Sequence, residues 1–194
     1  MNGRSNPAAL LTVLCLTLAA SSASAQSTAS PYAGEQTRPI KALSVPDIDG
    51  LLSGQGAGYA KAAELNGYPG PAHVLELKER LHLDAAQVTA TESLMTAHKA
   101  RARELGAALV AAERRLDALF ADRRADSAGV DGATHEVGLL QARLRAEHLN
   151  THLTQTALMS AEQVRQYGVL RGYGEANVPG AAGNVAPAPV HRHH

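Results

Sequence analysis

Between Asp84 and Arg124 the chain contains no proline and a single glycine, Gly106. Nothing in that stretch stops a helix, because proline is the strong interior breaker and one glycine costs only about 1 kcal/mol relative to alanine. Its larger apolar and small residues also recur at alternating steps of three and four. Val88, Thr91, Met95, His98, Ala102, Leu105, Leu109, Ala112, Leu116 and Leu119 form one seam, the spacing that keeps a helical stripe facing a partner helix. The pattern predicts one long helix from Asp84 to about Arg124, and a stripe of that length requires a second helix to cover it. The seam is thinned at Thr91, His98 and Ala102, which predicts a close approach or a polar layer at that height.

The covering helix is expected from about Ala133 to Leu158, after a turn over Ala125 to Gly132. Val137, Leu140, Leu144 and Leu158 give it one apolar face, and Leu139, Leu149, Leu153 and Ala157 a second, nearly opposite. Two faces need two partners. One is the preceding helix; the other is a short flanking helix or a second subunit. A short helix is expected from Pro71, with proline at its first position, to about Leu81, and a last one from Ser160 to the Gly172-Tyr173-Gly174 stop. Aromatic content is 3%, with no Trp and one Phe, so the core is built of Leu, Val and Ala, which suits packed helices better than a sheet. The expected class is all-α: a long antiparallel helical hairpin with short flanking helices.

The ends read differently. Residues 26–70 are expected to form a flexible lead-in, rich in Ser, Gly, Pro and Ala up to about Gly58, with Gly54-Gln55-Gly56-Ala57-Gly58 as a hinge, a helical turn or two at Ala60 to Leu65 stopped by Asn66-Gly67, and a rigid turn at Tyr68-Pro69-Gly70-Pro71. A phosphate loop would need a preceding strand and a following Lys-Ser/Thr, and neither is present. Residues 174–194 read as a disordered tail carrying His191, His193 and His194. The first 25 residues combine Arg4, an apolar run from Ala8 to Ala20 and Ala23-Ser24-Ala25, the pattern of a cleaved secretory signal; a periplasmic location is therefore expected. Cys15, the only cysteine, lies inside that signal, so the remaining chain has no thiol for disulfides, nucleophilic catalysis or thiolate metal sites. Without the signal the formal charge is minus one, from 17 basic and 18 acidic groups out of totals of 18 and 18, and no nucleic-acid partner is expected.

Two short motifs frame the helical region. Leu83-Asp84-Ala85-Ala86-Gln87 and Met159-Ser160-Ala161-Glu162-Gln163 each place a capping residue three before a glutamine, the capping-box spacing. With the secretory signal and the helical layout, these two L-T-x-x-Q-like boxes resemble those of the Spy/CpxP group of periplasmic proteins, whose superfamily includes zinc-resistance-associated proteins and periplasmic heavy-metal sensors. Asp84 and Ser160 stand where the family has Thr, and Met159 replaces one Leu. The resemblance covers Pro71 to Tyr173. It implies a thin, curved helical homodimer without enzymatic activity. Such a protein senses metal, signalling through a membrane-bound sensor or anti-sigma partner, or is an ATP-independent chaperone that holds unfolded clients.

His148 and His152 stand one helical turn apart, where two imidazoles on one face share a metal. With the turn near Ser127, Ala102 is expected level with His152 and His98 about one turn away. His98, Glu92, Met95 and Glu147 are then conceivable further ligands, and zinc, copper, nickel or cobalt the ions suited to imidazole. Equally, the histidines can be ordinary flank and seam residues of packed helices. His73 and Glu76 form a second possible pair, and the tail histidines a loose one. A cationic surplus on the long helix, including Lys99, Arg101, Arg103, Arg114 and Arg115, offers an amphipathic surface for clients or a solvated face. No triad or paired-carboxylate pattern stands out, so no catalytic role is expected.

Overall fold

Three capping boxes start three of the helices. The computed structural model describes residues 30–173, and within them Ser44 and Asp47, Asp84 and Gln87, and Ser160 and Gln163 each exchange side-chain and backbone hydrogen bonds. After a 3-10 turn at Glu35–Thr37 come α1 (Val45–Ser53), α2 (Lys61–Glu64), α3 (Pro71–Glu76), α4 (Ala85–Ala121), α5 (Ser127–Ala157) and α6 (Ala161–Leu170), with no strand among the described residues. The secretory signal and the histidine tail expected from the sequence lie outside the described residues.

The two long helices pack along each other in opposite senses. Arg115 pairs with Glu136, His98 with Thr151, and Thr91 with Gln155, so residue numbers fall on α4 as they rise on α5. The seam read from the sequence is the packed one: Thr91, His98, Ala102, Leu105, Leu109 and Ala112 are all buried. The turn between these helices is earlier than expected, because α5 begins at Ser127. Asp126 caps it by accepting the Gly129 N–H at 2.7 Å, and that cap, worth about 1 kcal/mol, holds Gly129 and Gly132 inside the helix. Each residue by which a turn moves shifts the facing pairs by two. His98 therefore meets Glu147, His148 and Thr151, and the expected level pairing of Ala102 with His152 is not formed.

Residues 34–70 are the main correction. Low apolar content suggested a flexible lead-in, yet Ile40 is fully buried and Leu51 nearly so, in one cluster with Leu105, Leu109, Val110, Val137 and Leu144. Burying two such side chains contributes about 1.5–3 kcal/mol each, enough to hold a short segment whose helix is also capped. α1 lies against α4 at Ala102 and Gly106. Its approach is so close that a Cβ on Gly106 would stand 2.1 Å from the Leu51 carbonyl oxygen. Gly54 then ends α1 in the left-handed conformation, φ 70°, its N–H returning to the carbonyls of Gly50 and Leu51. The expected hinge is thus a helix stop followed by a loop laid on α4 and α5. α3 is likewise shorter than expected, ending at Glu76, with turns carrying the chain to the buried Leu81.

At the other end a smaller cluster joins Val74, Leu81 and Tyr167. There the two boxes meet. The Gln87 and Gln163 side-chain amides exchange two hydrogen bonds of 2.9 Å. Gln87 also donates to the Leu158 carbonyl and Gln163 to that of Leu81. Each glutamine still accepts from the N-cap amide of its own helix, so one amide pair ties together the starts of α4 and α6.

Candidate functional site

Between the two apolar clusters the α4–α5 seam turns polar. Thr91, His98, His148, Thr151 and Gln155 are all buried there, and a buried polar group needs a partner. Gln155 donates to Thr91 Oγ1 at 3.3 Å. His98 Nδ1 lies 3.1 Å from Glu147 Oε1 and 2.9 Å from Thr151 Oγ1, while the Thr151 hydroxyl donates to the Glu147 backbone carbonyl. Both neighbours of Nδ1 thus accept, so Nδ1 carries the proton and Nε2 is the nitrogen with the free lone pair in the neutral ring.

His148 lies against this group. Its ring meets that of His98 edge to face, centroids 4.6 Å apart, and stacks on Tyr59 at 5.7 Å. It is only 4% exposed, and its Nε2 is buried without a hydrogen-bond partner. Burial, and then the neighbouring His98, push its pKa down to about 4, so the ring is neutral at neutral pH. That depression has a sign. The neutral ring is favoured in the fold, so its contribution is complete above pH 6.5 and is lost as pH falls from 6.5 towards 4. In metal-free protein, denaturant midpoints over that window are expected to fall by the equivalent of about 3 kcal/mol, and His148→Gln is expected to flatten the profile. A midpoint that ignores pH over this range in the unmodified chain contradicts the burial of His148.

His152 follows one turn later and is held differently. Its Nδ1–H donates to the Tyr68 carbonyl at 2.7 Å, and its ring lies where a Cβ on Gly70 would come within 2.8 Å. Glycine at position 70 is what admits it. Behind His152 stands Glu64 of α2. Its Oε1 accepts from the Tyr167 hydroxyl at 2.7 Å and the Tyr173 hydroxyl at 2.9 Å, with Arg171 Nε at 3.4 Å. Its Oε2 lies 3.7 Å from His152 Nδ1. Burial, then the bond to Glu64, push the Tyr167 hydroxyl well above its ordinary pKa.

These groups surround a cavity of about 670 Å³. The Ser53–Gly58 loop, the Gly70–His73 segment, α4 and α5 form its walls, with His98, His148, His152 and Met95 among the lining side chains. Of the expected candidates, His98 and His148 are brought into contact, and His152 shares their cavity. Glu147 is engaged with His98. His73 lines the cavity with its Nδ1 3.0 Å from Glu76, whereas Glu92 is exposed and outside the lining. His191, His193 and His194 lie outside the described residues. Sequence reasoning missed Tyr59, Glu64, Thr151, Tyr173 and the glycine-rich loop. Thr151 was recoverable, standing three residues after His148 on the same helix face. Tyr59 and Glu64 were not: Tyr59 follows the expected hinge, and Glu64 lies in the helical turn expected at Ala60 to Leu65, which forms as α2 but carries no sign of what it faces.

Among the described residues no group of three or more His, Cys, Asp or Glu side chains is arranged to hold a metal ion, and no helix is long and apolar enough to cross a membrane. The chain matches no known family model, no characterised protein and no solved structure.

Proposed function

We propose that the protein is a metal-responsive binding protein of the cell envelope, with His98 and His148 as its ligands and His152 in the same cavity. The observation that carries this reading is the buried Nε2 of His148, which has no hydrogen-bond partner and stands beside a second imidazole. Burying an unpaired polar nitrogen costs about 1–3 kcal/mol, a cost that a bound ligand removes. The surrounding chemistry suits a metal. His148 is neutral, the form that ligates. His98 has its Nδ1–H held by Glu147, the outer-shell arrangement that orients an imidazole, and the Nδ1–H of His152 is held by the Tyr68 carbonyl in the same sense. A borderline divalent ion would be a Lewis acid joining α4 to α5 at this layer. The Spy/CpxP-like hairpin, the homodimer and a signalling partner in the membrane belong to this same reading.

The test is calorimetric titration of the full chain with zinc, copper, nickel and cobalt, on a background of His191→Ser, His193→Ser and His194→Ser. Binding is expected to weaken at least tenfold in His148→Ala and by about ten- to a hundredfold in Glu147→Gln. Heats that are absent, or unchanged by both substitutions, end the reading.

A chaperone role has one observation in its favour. Leu139 and Leu153, on the second apolar face of α5, are 43% and 52% exposed. In the same preparation, slowed aggregation of a reduced client with no response to metal moves the assignment there.

A further inference from the structure

We propose, resting on the metal-binding reading above, that the cavity takes its metal as an anionic complex: an ion already held by a carboxylate-bearing organic chelator, with an imidazole of the His98–His148 pair added to its coordination.

Size is the first reason. A dedicated ion site is closed around ligand bonds of about 2.0–2.3 Å, whereas about 670 Å³ falls within the roughly 300–1,000 Å³ of sites for organic ligands. Charge is the second. Lys61, Lys99 and Arg103 line the cavity against a single carboxylate, Glu64, and that carboxylate is engaged by Tyr167, Tyr173 and Arg171. Such a wall favours a complex bearing carboxylates over a free divalent cation. Lys61 and Lys99 are exposed and have no ion pair among the described residues, so both are free to meet such groups. The donor count is the third. The chain presents two imidazoles in contact but no set of three convergent ligands, which suits an ion whose remaining positions are filled by its own chelator.

Carboxylate-bearing complexes come as flat tetrapyrroles or as small hydroxy-acid complexes, and the experiment separates them. The full chain, with its three tail histidines replaced by serine, is titrated with haemin, with cobalt(II) citrate, and with cobalt(II) alone. At least one complex is expected to bind ten times more tightly than cobalt(II) alone, haemin being read by its visible spectrum. The exposed pair Lys61→Gln/Lys99→Gln, which leaves the core untouched, is expected to weaken that complex about tenfold without weakening free cobalt(II). His98→Ala and His148→Ala are expected to change the spectrum of the bound metal. Free cobalt(II) binding as tightly as both complexes overturns this inference and leaves the metal-binding reading standing. So does complex binding that is indifferent to the lysine and histidine substitutions, since it is then adventitious. If neither free ions nor complexes bind, both readings fall together.

Discussion

Gly106→Ala is expected to lower the unfolding free energy by about 3 kcal/mol, the reverse of what the substitution does in an ordinary helix. In an open helix interior alanine is favoured over glycine by about 1 kcal/mol. At position 106 its Cβ would be placed 2.1 Å from the oxygen and 2.8 Å from the carbon of the Leu51 carbonyl. Ordinary contact needs more than 3 Å, and the obstacle is backbone, so α1 must shift bodily away from α4. That shift loosens Leu51 and Ile48, both packed in the larger apolar cluster, and overpacking of this kind costs roughly 1–3 kcal/mol before lost burial is added. Gly138→Ala on α5 is the matched control. Nothing lies within 4 Å of its added Cβ, and it is expected to gain up to about 1 kcal/mol. Urea unfolding of the three proteins measures both effects, and a Gly106→Ala protein as stable as the original would falsify the α1–α4 packing. The consequence reaches the site, because α1 leads directly into the Ser53–Gly58 wall of the cavity. Any ligand affinity is expected to fall with stability at position 106 and to be unaffected at position 138.

Gln163→Ala is expected to cost about 2–3 kcal/mol, and Gln87→Ala a similar amount, with the two losses failing to add. Removing Gln163 deprives the Ser160 N–H of its acceptor, leaves Gln87 without its amide partner and uncaps the Leu81 carbonyl. Each such bond contributes about 0.5–1.5 kcal/mol net, and partners left unpaired away from water cost more. The second deletion then removes groups already orphaned by the first. A double-mutant cycle is expected to return a coupling of about 1–2 kcal/mol. Additivity within about 0.3 kcal/mol would show the two boxes to be independent caps. The glutamine at the third helical position caps its own helix with its oxygen and reaches the other box with its nitrogen.

How much of the site was legible follows from where its residues lie. His98 stood out because a histidine at a packing position breaks an otherwise apolar or small-residue rhythm, and His148 because it stands one helical turn from His152; both signals are visible in one dimension. The thinning of the seam at Thr91, His98 and Ala102 marked the height of the polar layer for the same reason. Which histidines meet was beyond the sequence. It depends on the turn, and a turn placed over Ala125 to Gly132 passes over the N-cap at Asp126, which starts α5 at Ser127. The lead-in was misread because composition averages over positions: Ile40, Ile48 and Leu51 are few, yet each is aimed at α4. Ser44-Val45-Pro46-Asp47 carried the missing signal, a capping box with proline in the first turn.

By itself the sequence determined what depends on neighbours along the chain. Helix type, the long seam, the boxes at Asp84 and Ser160 and the all-α class all follow from backbone preferences and a period of 3.6 residues, which act within a few positions. Only the tertiary structure decided what depends on distant positions meeting. It laid α1 on Gly106, paired Gln87 with Gln163, set His98 against His148, and closed Glu64 behind His152. Those contacts are fixed by where the turn falls and how closely two backbones can approach, and a shift of one residue in either would rearrange all of them.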